Sequence, residues 1–232
     1  MHLFYSDHIE IPVHPLDEEE SSHIVRVLRL KEGDTVFLTD GMGNMHRCTI
    51  VAAVARRCQV RILSTETTPP NPFRIHIAIA PTKNINRLEC FLEKATEIGI
   101  DVITPLICAH SERLNVKTDR LTKILIAAMK QSWKSRLPEL QDPVRFNDLI
   151  HQDFPGQKCI AHCEAGEEKL LQKVYKPGSS ALILIGPEGD FSPEEVSQAK
   201  QAGFIPVSLG KSRLRTETAG IVACCMVAVR NS

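Results

Sequence analysis

The chain has 232 residues, with 28 Lys and Arg balancing 28 Asp and Glu to a formal net charge of +0, so no molecule-wide basic field announces nucleic acid. Hydrophobic residues make up 43% and charged residues 24%, ordinary for a globular protein with room for one large domain or two modest ones. No apolar leader or run of ~20 apolar residues is visible, and the eight cysteines form no Cys-x-x-Cys pair; a membrane span, a disulfide framework and a metal site are therefore not expected, and a reducing cytoplasm is.

The first seventy residues read as short β segments. Val25–Leu30 leads into a turn at Lys31-Glu32-Gly33-Asp34, and Thr35–Thr39 is a strand. Asp40–Asn44 is a hairpin turn, and Met45–Ala55 and Cys58–Ser64 continue the pattern. Strands joined by short turns suggest a small β-barrel or sandwich. Thr67-Thr68-Pro69-Pro70-Asn71-Pro72 breaks any regular element, which predicts a first domain over 1–70 and a second over 73–232.

From Phe73 strands and helices alternate. Arg74–Ala80 is an apolar strand. Asn84–Ile98 is a helix with Leu88, Phe91, Leu92, Ala95 and Ile98 on one face and Gly99 as its stop. Asp101–Cys108 is a strand, and Asp119–Trp133 a helix with Leu121, Ile124, Leu125 and Ala128 aligned. Cys159–Cys163 is a strand that carries a local Cys159, His162 and Cys163 cluster, and Glu167–Tyr175 is a helix. Ala181–Ile185 is uniformly apolar, as a parallel strand buried on both faces must be. Ser192 caps the next helix, Pro193 opens it, Glu195 completes a capping box, and Phe191 with Val196 forms a hydrophobic staple. Ile205–Leu209 is the last strand. Thr216–Val229 is the last helix, apolar on nearly every side and so in need of burial on more than one. Repeated βα units imply an α/β fold with a parallel-rich sheet.

Charge is uneven locally. Residues 110–137 carry seven bases against two acids, and Lys200, Lys211, Arg213 and Arg215 have no acid between them; such patches attract phosphate. Gly210-Lys211-Ser212 is not a P-loop, because the glycine that motif needs is Ile205. No Gly-x-Gly-x-x-Gly and no Gly-x-Ser-x-Gly occurs. What remains is two loops, Gly186-Pro187-Glu188-Gly189-Asp190-Phe191-Ser192 and Leu209-Gly210-Lys211-Ser212-Arg213-Leu214-Arg215-Thr216-Glu217-Thr218-Ala219. Each leaves an apolar strand and enters a helix, and ligands sit beyond the carboxyl ends of such strands. Their glycines allow a main chain to approach a ligand closely.

These loops resemble the Gly-Pro-Glu-Gly-Gly and Leu-Gly-x-x-Ile-Leu-Arg-x-Glu-Thr-Ala signatures of the RsmE-type 16S ribosomal RNA uridine-N3 methyltransferases of the SPOUT superfamily. The likeness extends to Lys94-Ala95-Thr96-Glu97-Ile98-Gly99, to Gln131-Ser132 with Arg136 and Pro138, and to His23–Arg29 with Gly33-Asp34. Asp190, Arg213 and Lys130 depart from it, standing for a glycine, an isoleucine and a glutamate. The resemblance implies an N-terminal PUA-like β-barrel, a C-terminal SPOUT α/β domain with a deep trefoil knot, a homodimer, S-adenosylmethionine as cofactor, and 16S ribosomal RNA or the small ribosomal subunit as partner.

It also implies roles for particular residues. Arg215, Glu217 and Glu188 are the catalytic candidates. The cofactor is expected against Leu106, Ile185, Gly186, Pro187, Glu188 and Gly189 from one side. Leu209, Gly210, Leu214, Arg215, Thr218 and Ala219 would hold it from the other. Arg26, Arg29, Lys83, Arg87, Lys94, Arg113 and Arg136 are candidates for RNA phosphate, Lys130 adds a base to that face, and Trp133 is a candidate to stack a base. The alternatives are a SPOUT enzyme acting on another RNA, such as transfer RNA at a ribose 2′-hydroxyl, and a non-catalytic ribosome-binding module.

Overall fold

The computed structural model describes residues 2–162 and 169–232; Cys163 and the start of the helix expected over Glu167–Tyr175 lie outside these. The chain divides into two compact units, Met1–Pro70 with Met129–Leu137, and Asn71–Ala128 with Pro138–Ser232.

In the first unit, β1 (Leu3–Tyr5), β2 (Val13–Pro15), β3 (Thr35–Thr39), β4 (Asn44–Ala52) and β5 (Gln59–Thr67) form a sheet ordered β1-β3-β4-β5-β2. β1 runs parallel to β3, and the other pairs are antiparallel. Alternation puts Val36, Leu38, Cys48, Ile50 and Val60 in one core with Phe4, Leu16 and Ile24. β1 and β2 are too short for sequence periodicity to show. One expectation is corrected. The stretch before the Lys31–Asp34 turn is helical, as α1 (Glu18–Ser22) followed by a π-helical turn, His23–Val27. Asp17 caps α1 by accepting the Glu20 N–H at 2.7 Å, and Glu18, Glu19 and Glu20 favour the positive end of the helix dipole. The helical turn buries Ile24 in the core of this unit.

In the second unit, β6 (Ile75–Ile79), β7 (Val102–Ile107), β8 (Glu139–Leu140), β10 (Gln157–Ala161), β11 (Ala181–Ile185) and β12 (Ile205–Val207) lie in the order β12-β10-β11-β6-β7-β8, with β9 (Val144–Arg145) against β7. Every pairing among these second-unit strands is parallel. All five residues of β11 are buried, because β10 and β6 flank it in the sheet and helices cover its faces.

α2 (Ile85–Ile98) starts at Asn84, whose side chain accepts the Asn86 N–H, and buries Leu88, Phe91, Leu92 and Ala95. α3 (Thr118–Gln131) ends two residues earlier than expected, and Trp133 follows it with φ 58°. α4 (Phe146–Ile150) and α5 (Leu171–Val174) are short. α6 (Pro193–Gln201) carries the expected capping box, and Phe191 and Val196 meet in the core. α7 (Thr216–Arg230) packs on α2, β6 and β11, burying Gly220, Ala223, Cys224 and Val227. β8, β9 and α4 have no counterpart in the sequence reading, since runs of two to five residues carry too little periodicity.

Candidate functional site

The three adjacent parallel strands β12, β10 and β11 end together, and a cavity of ≈ 690 Å³ opens at their carboxyl ends. This volume is typical of a small-molecule site. β10 contributes Ala161 and His162. β11 contributes Ile185, Gly186, Pro187, Glu188 and Asp190. The segment from Ser208 to Thr216, with Ala219 on the first turns of α7, closes the wall.

Local geometry explains why these loops hold their shape. Gly210 has φ +131°, a conformation that a side chain would strain. The Ser208 hydroxyl fixes it by accepting the Gly210 N–H at 3.2 Å. A Cβ on Gly186 would lie 3.1 Å from the Phe191 ring, a tight contact that any larger residue could make only if the ring gave way by a few tenths of an ångström. The Asp190 N–H donates to the Pro187 carbonyl at 2.9 Å, closing a turn. Asp190 takes φ 62°, the left-handed conformation that a glycine adopts freely. Its own carboxylate accepts the Phe191 N–H at 2.8 Å, and its carbonyl meets His110 Nδ1 at 3.0 Å. The departure from glycine at 190 thus leaves the turn intact.

Nine of the expected cofactor positions line the cavity: Ile185, Gly186, Pro187, Glu188, Leu209, Gly210, Leu214, Arg215 and Ala219. Gly189 and Thr218 are not on its wall. Leu106 is fully buried in the core cluster with Phe146, Leu184 and Phe191, which places it behind the wall. Ala161, His162, Asp190, Ser208, Lys211, Ser212, Arg213 and Thr216 also line it and were not expected. For Ala161 and His162 the signal lay in β10, whose carboxyl end falls beside that of β11 only once the strand order is known.

The charged candidates separate clearly. Arg215 and Arg213 are exposed at the cavity, and neither forms an ion pair among the described residues. Arg215 therefore does not pair with Glu188 or Glu217. Glu188 accepts the Lys83 N–H at 3.1 Å. Glu217 is off the wall, with 12% of its side chain exposed; its Oε1 lies 4.0 Å from Arg87 Nε, and its Oε2 is buried without a hydrogen-bond partner among the described residues.

Several expected phosphate contacts are engaged within the protein. Lys83 pairs with Glu112 at 2.8 Å, and Lys94 with Glu93 and Glu97, whose carboxylates hold both ammonium groups above the ordinary lysine value. Arg113 donates to the Thr82 and Lys83 carbonyls, and Arg136 to the Thr68 carbonyl at 2.6 Å. Lys130 pairs with Glu20 and lies over the Phe4 ring, so it is a packed group rather than a free base. Arg26 and Arg29 are exposed and unpaired among the described residues. Arg26 sits on the π-helical turn and Arg29 just after it.

Among the described residues no three His, Cys, Asp or Glu side chains converge as metal ligands, and no helix is long and apolar enough to cross a membrane.

Residues 69–228 match the family described as RNA methyltransferase domain, and residues 16–63 the family described as RNA methyltransferase PUA domain. Ribosomal RNA small subunit methyltransferase E of Bacillus subtilis is 30% identical over 230 residues, covering 92% of this chain and 89% of that protein. The crystal structure of a probable rRNA-methyltransferase from Porphyromonas gingivalis superposes with a TM-score of 0.89 at 44% identity, covering 97% of this chain and 95% of that one. A ribosomal RNA small subunit methyltransferase E from Neisseria gonorrhoeae bound to S-adenosyl methionine superposes with a TM-score of 0.85 at 28% identity, covering 97% and 95%.

Proposed function

The chain belongs to the RNA methyltransferase family that includes ribosomal RNA small subunit methyltransferase E, and on that premise we propose that it methylates N3 of a uridine in 16S ribosomal RNA with S-adenosylmethionine as donor. The observation that carries this reading is the cavity at the ends of β10, β11 and β12, where glycine-bearing main chain and the apolar side chains of Ile185, Leu209, Leu214 and Ala219 share the wall with the charged groups of Glu188, Arg213 and Arg215. Such a wall suits an adenosine, whose base edge can bond to backbone groups. Ile185, Gly186, Leu209, Gly210, Leu214 and Ala219 would hold it. When bound, S-adenosylmethionine supplies an electrophilic methyl group on a sulfonium sulfur.

The remaining work falls to this chain. Uridine N3 lies on the Watson–Crick edge, so the base must be unpaired first. Its N–H proton must leave, and the charge that then spreads onto O2 and O4 needs a fixed donor. The unpaired guanidinium of Arg215 meets that need and stays charged at any working pH. Glu188 on the cavity wall is the proton acceptor in this reading; Glu217, held off the wall near Arg87, shapes the first turn of α7. Arg26 and Arg29 hold RNA phosphates. A homodimer, with a partner copy covering the apolar flank of α7, and a trefoil knot formed by the cavity loops complete the proposal.

Calorimetric titration with S-adenosylmethionine tests it on wild type and Arg215→Ala, alongside mass mapping of the methylated nucleoside. The expected result is similar cofactor affinity in both proteins, N3-methyluridine from wild type, and a fall in kcat of about 100-fold or more in the variant. A ribose-methylated product would instead support the alternative RNA target. A folded wild type that binds no cofactor would sink the reading in favour of a binding module.

A further inference from the structure

One face of the first unit's sheet is packed and the other is open. Val36, Leu38, Cys48, Ile50 and Val60 point into the core, so Phe37, Arg47, Thr49 and Arg61 alternate onto the outer face. Phe37 is the register partner of Arg47 across β3 and β4, and Thr49 that of Arg61 across β4 and β5. Arg47 and Arg61 are exposed, and neither has a hydrogen bond or ion pair among the described residues. Glu66, opposite Met45, stands at the hairpin end of the same face.

Residues 133–137 lie along the β3–β4 turn. The Gly43 N–H donates to the Ser135 carbonyl at 2.8 Å, the Thr39 hydroxyl to the same oxygen at 3.1 Å, and the Leu137 N–H to the Gly41 carbonyl at 2.8 Å. Trp133 stands at the head of this segment. Its φ of 58° is the left-handed conformation that glycine usually supplies after a helix, and the Lys134 N–H to Met129 carbonyl bond at 3.0 Å closes that end. The indole meets Phe37 edge to face, with centroids 5.0 Å apart, yet remains 40% exposed. A bulky residue in this backbone conformation is uncommon, and here it keeps a large aromatic ring partly in solvent against Phe37, the register partner of Arg47, with Arg61 on the next strand of the same face.

That combination suits single-stranded nucleic acid, because bases stack on aromatic rings regardless of sequence while arginines take the phosphates. A protein partner would need acidic groups set against both arginines, whereas any RNA strand brings them as phosphates. We infer that this outer face binds single-stranded RNA, with Trp133 stacking an unpaired base and Arg47 and Arg61 holding the phosphates beside it. The inference rests on the RNA methyltransferase reading and assigns it a gripping surface apart from the cavity.

The test is fluorescence anisotropy of a labelled oligouridylate of about twelve nucleotides on the full chain, with S-adenosylmethionine titrated in parallel. Trp133→Leu raises the RNA Kd roughly 5- to 100-fold, Trp133→Phe recovers most of the affinity, and cofactor affinity is unchanged in both. Arg47→Ala and Arg61→Ala each lower the slope of log affinity against log salt by about 0.7. These two exposed positions are not packed, so they decide the matter even if Trp133→Leu fails to fold. Unchanged RNA affinity and salt slope in the arginine variants would overturn the inference. So would loss of binding to a ribosomal protein while oligouridylate affinity holds, which would make the face a protein contact. A wild type that binds cofactor but no oligouridylate overturns the RNA face and leaves the methyltransferase reading standing; one that binds neither overturns both.

Discussion

Asp190 shows how a single side chain can depart from a motif without changing the backbone. Aspartate tolerates the left-handed conformation better than most residues, and here its carboxylate accepts the next backbone N–H, so the turn after β11 keeps its form. His76 poses the opposite problem, a titratable group inside the sheet. It is 7% exposed, and its Nε2 meets Thr104 Oγ1 at 2.7 Å, which in turn donates to Gln141. Burial pushes the imidazole down from 6.5 to about 4, with Glu139 acting in the opposite direction and Arg74 adding to the fall. Between pH 6.5 and 4 the unfolded chain takes up a proton at His76 and the folded chain does not, so stability drops as the pH falls through this window, by roughly 3 kcal/mol in all. Urea denaturation across the window should therefore show a shallower decline in His76→Asn than in wild type. Parallel curves for the two proteins would show that another group carries the dependence.

Caps and short runs behave differently among the elements. The α6 capping box was legible from Ser192, Pro193 and Glu195, because capping depends only on residues three apart. What the spacing could not show is a second duty of Glu195: its Oε1 accepts the Ala109 N–H at 2.8 Å while its Oε2 accepts the Ser192 N–H at 2.9 Å, in a 7% exposed position. This carboxylate ties the loop after β7 to the loop after β11. Ser192→Ala should cost about 1 kcal/mol. Glu195→Ala should cost more, roughly 3 kcal/mol, since it strands two backbone donors. Urea midpoints at unchanged m-value measure both, and equal losses would show that the Ala109 bond contributes nothing. By contrast β1, β2, β8 and β9 are two or three residues long and make no pattern, and α1, five residues long, has a cap and an acidic first turn but no apolar period to mark it as a helix.

Across the molecule, the cavity joins segments far apart in the chain: Ala161-His162, Ile185–Asp190 and Ser208–Thr216. Saturating S-adenosylmethionine should slow amide hydrogen exchange in all three together, since a ligand bound to the folded state suppresses local opening wherever it is held. Protection confined to residues 2–70 would place the ligand elsewhere. The sequence by itself determined the local features: the α/β alternation after Phe73, the doubly buried β11, the caps, and two loops whose glycine and arginine positions resemble a methyltransferase family. These follow from backbone preference and hydrophobic period, which act over a few residues. Only the tertiary structure decided that β10 lies between β11 and β12 and so brings His162 to the cavity. It also decided that Leu106 is core, that Lys83, Lys94, Arg113 and Arg136 are spent on internal partners, and that Arg26, Arg47, Arg61 and Arg215 are not. Strand order and ion pairing depend on distance in space, and nothing in the spacing of charges along the chain records which of them meet.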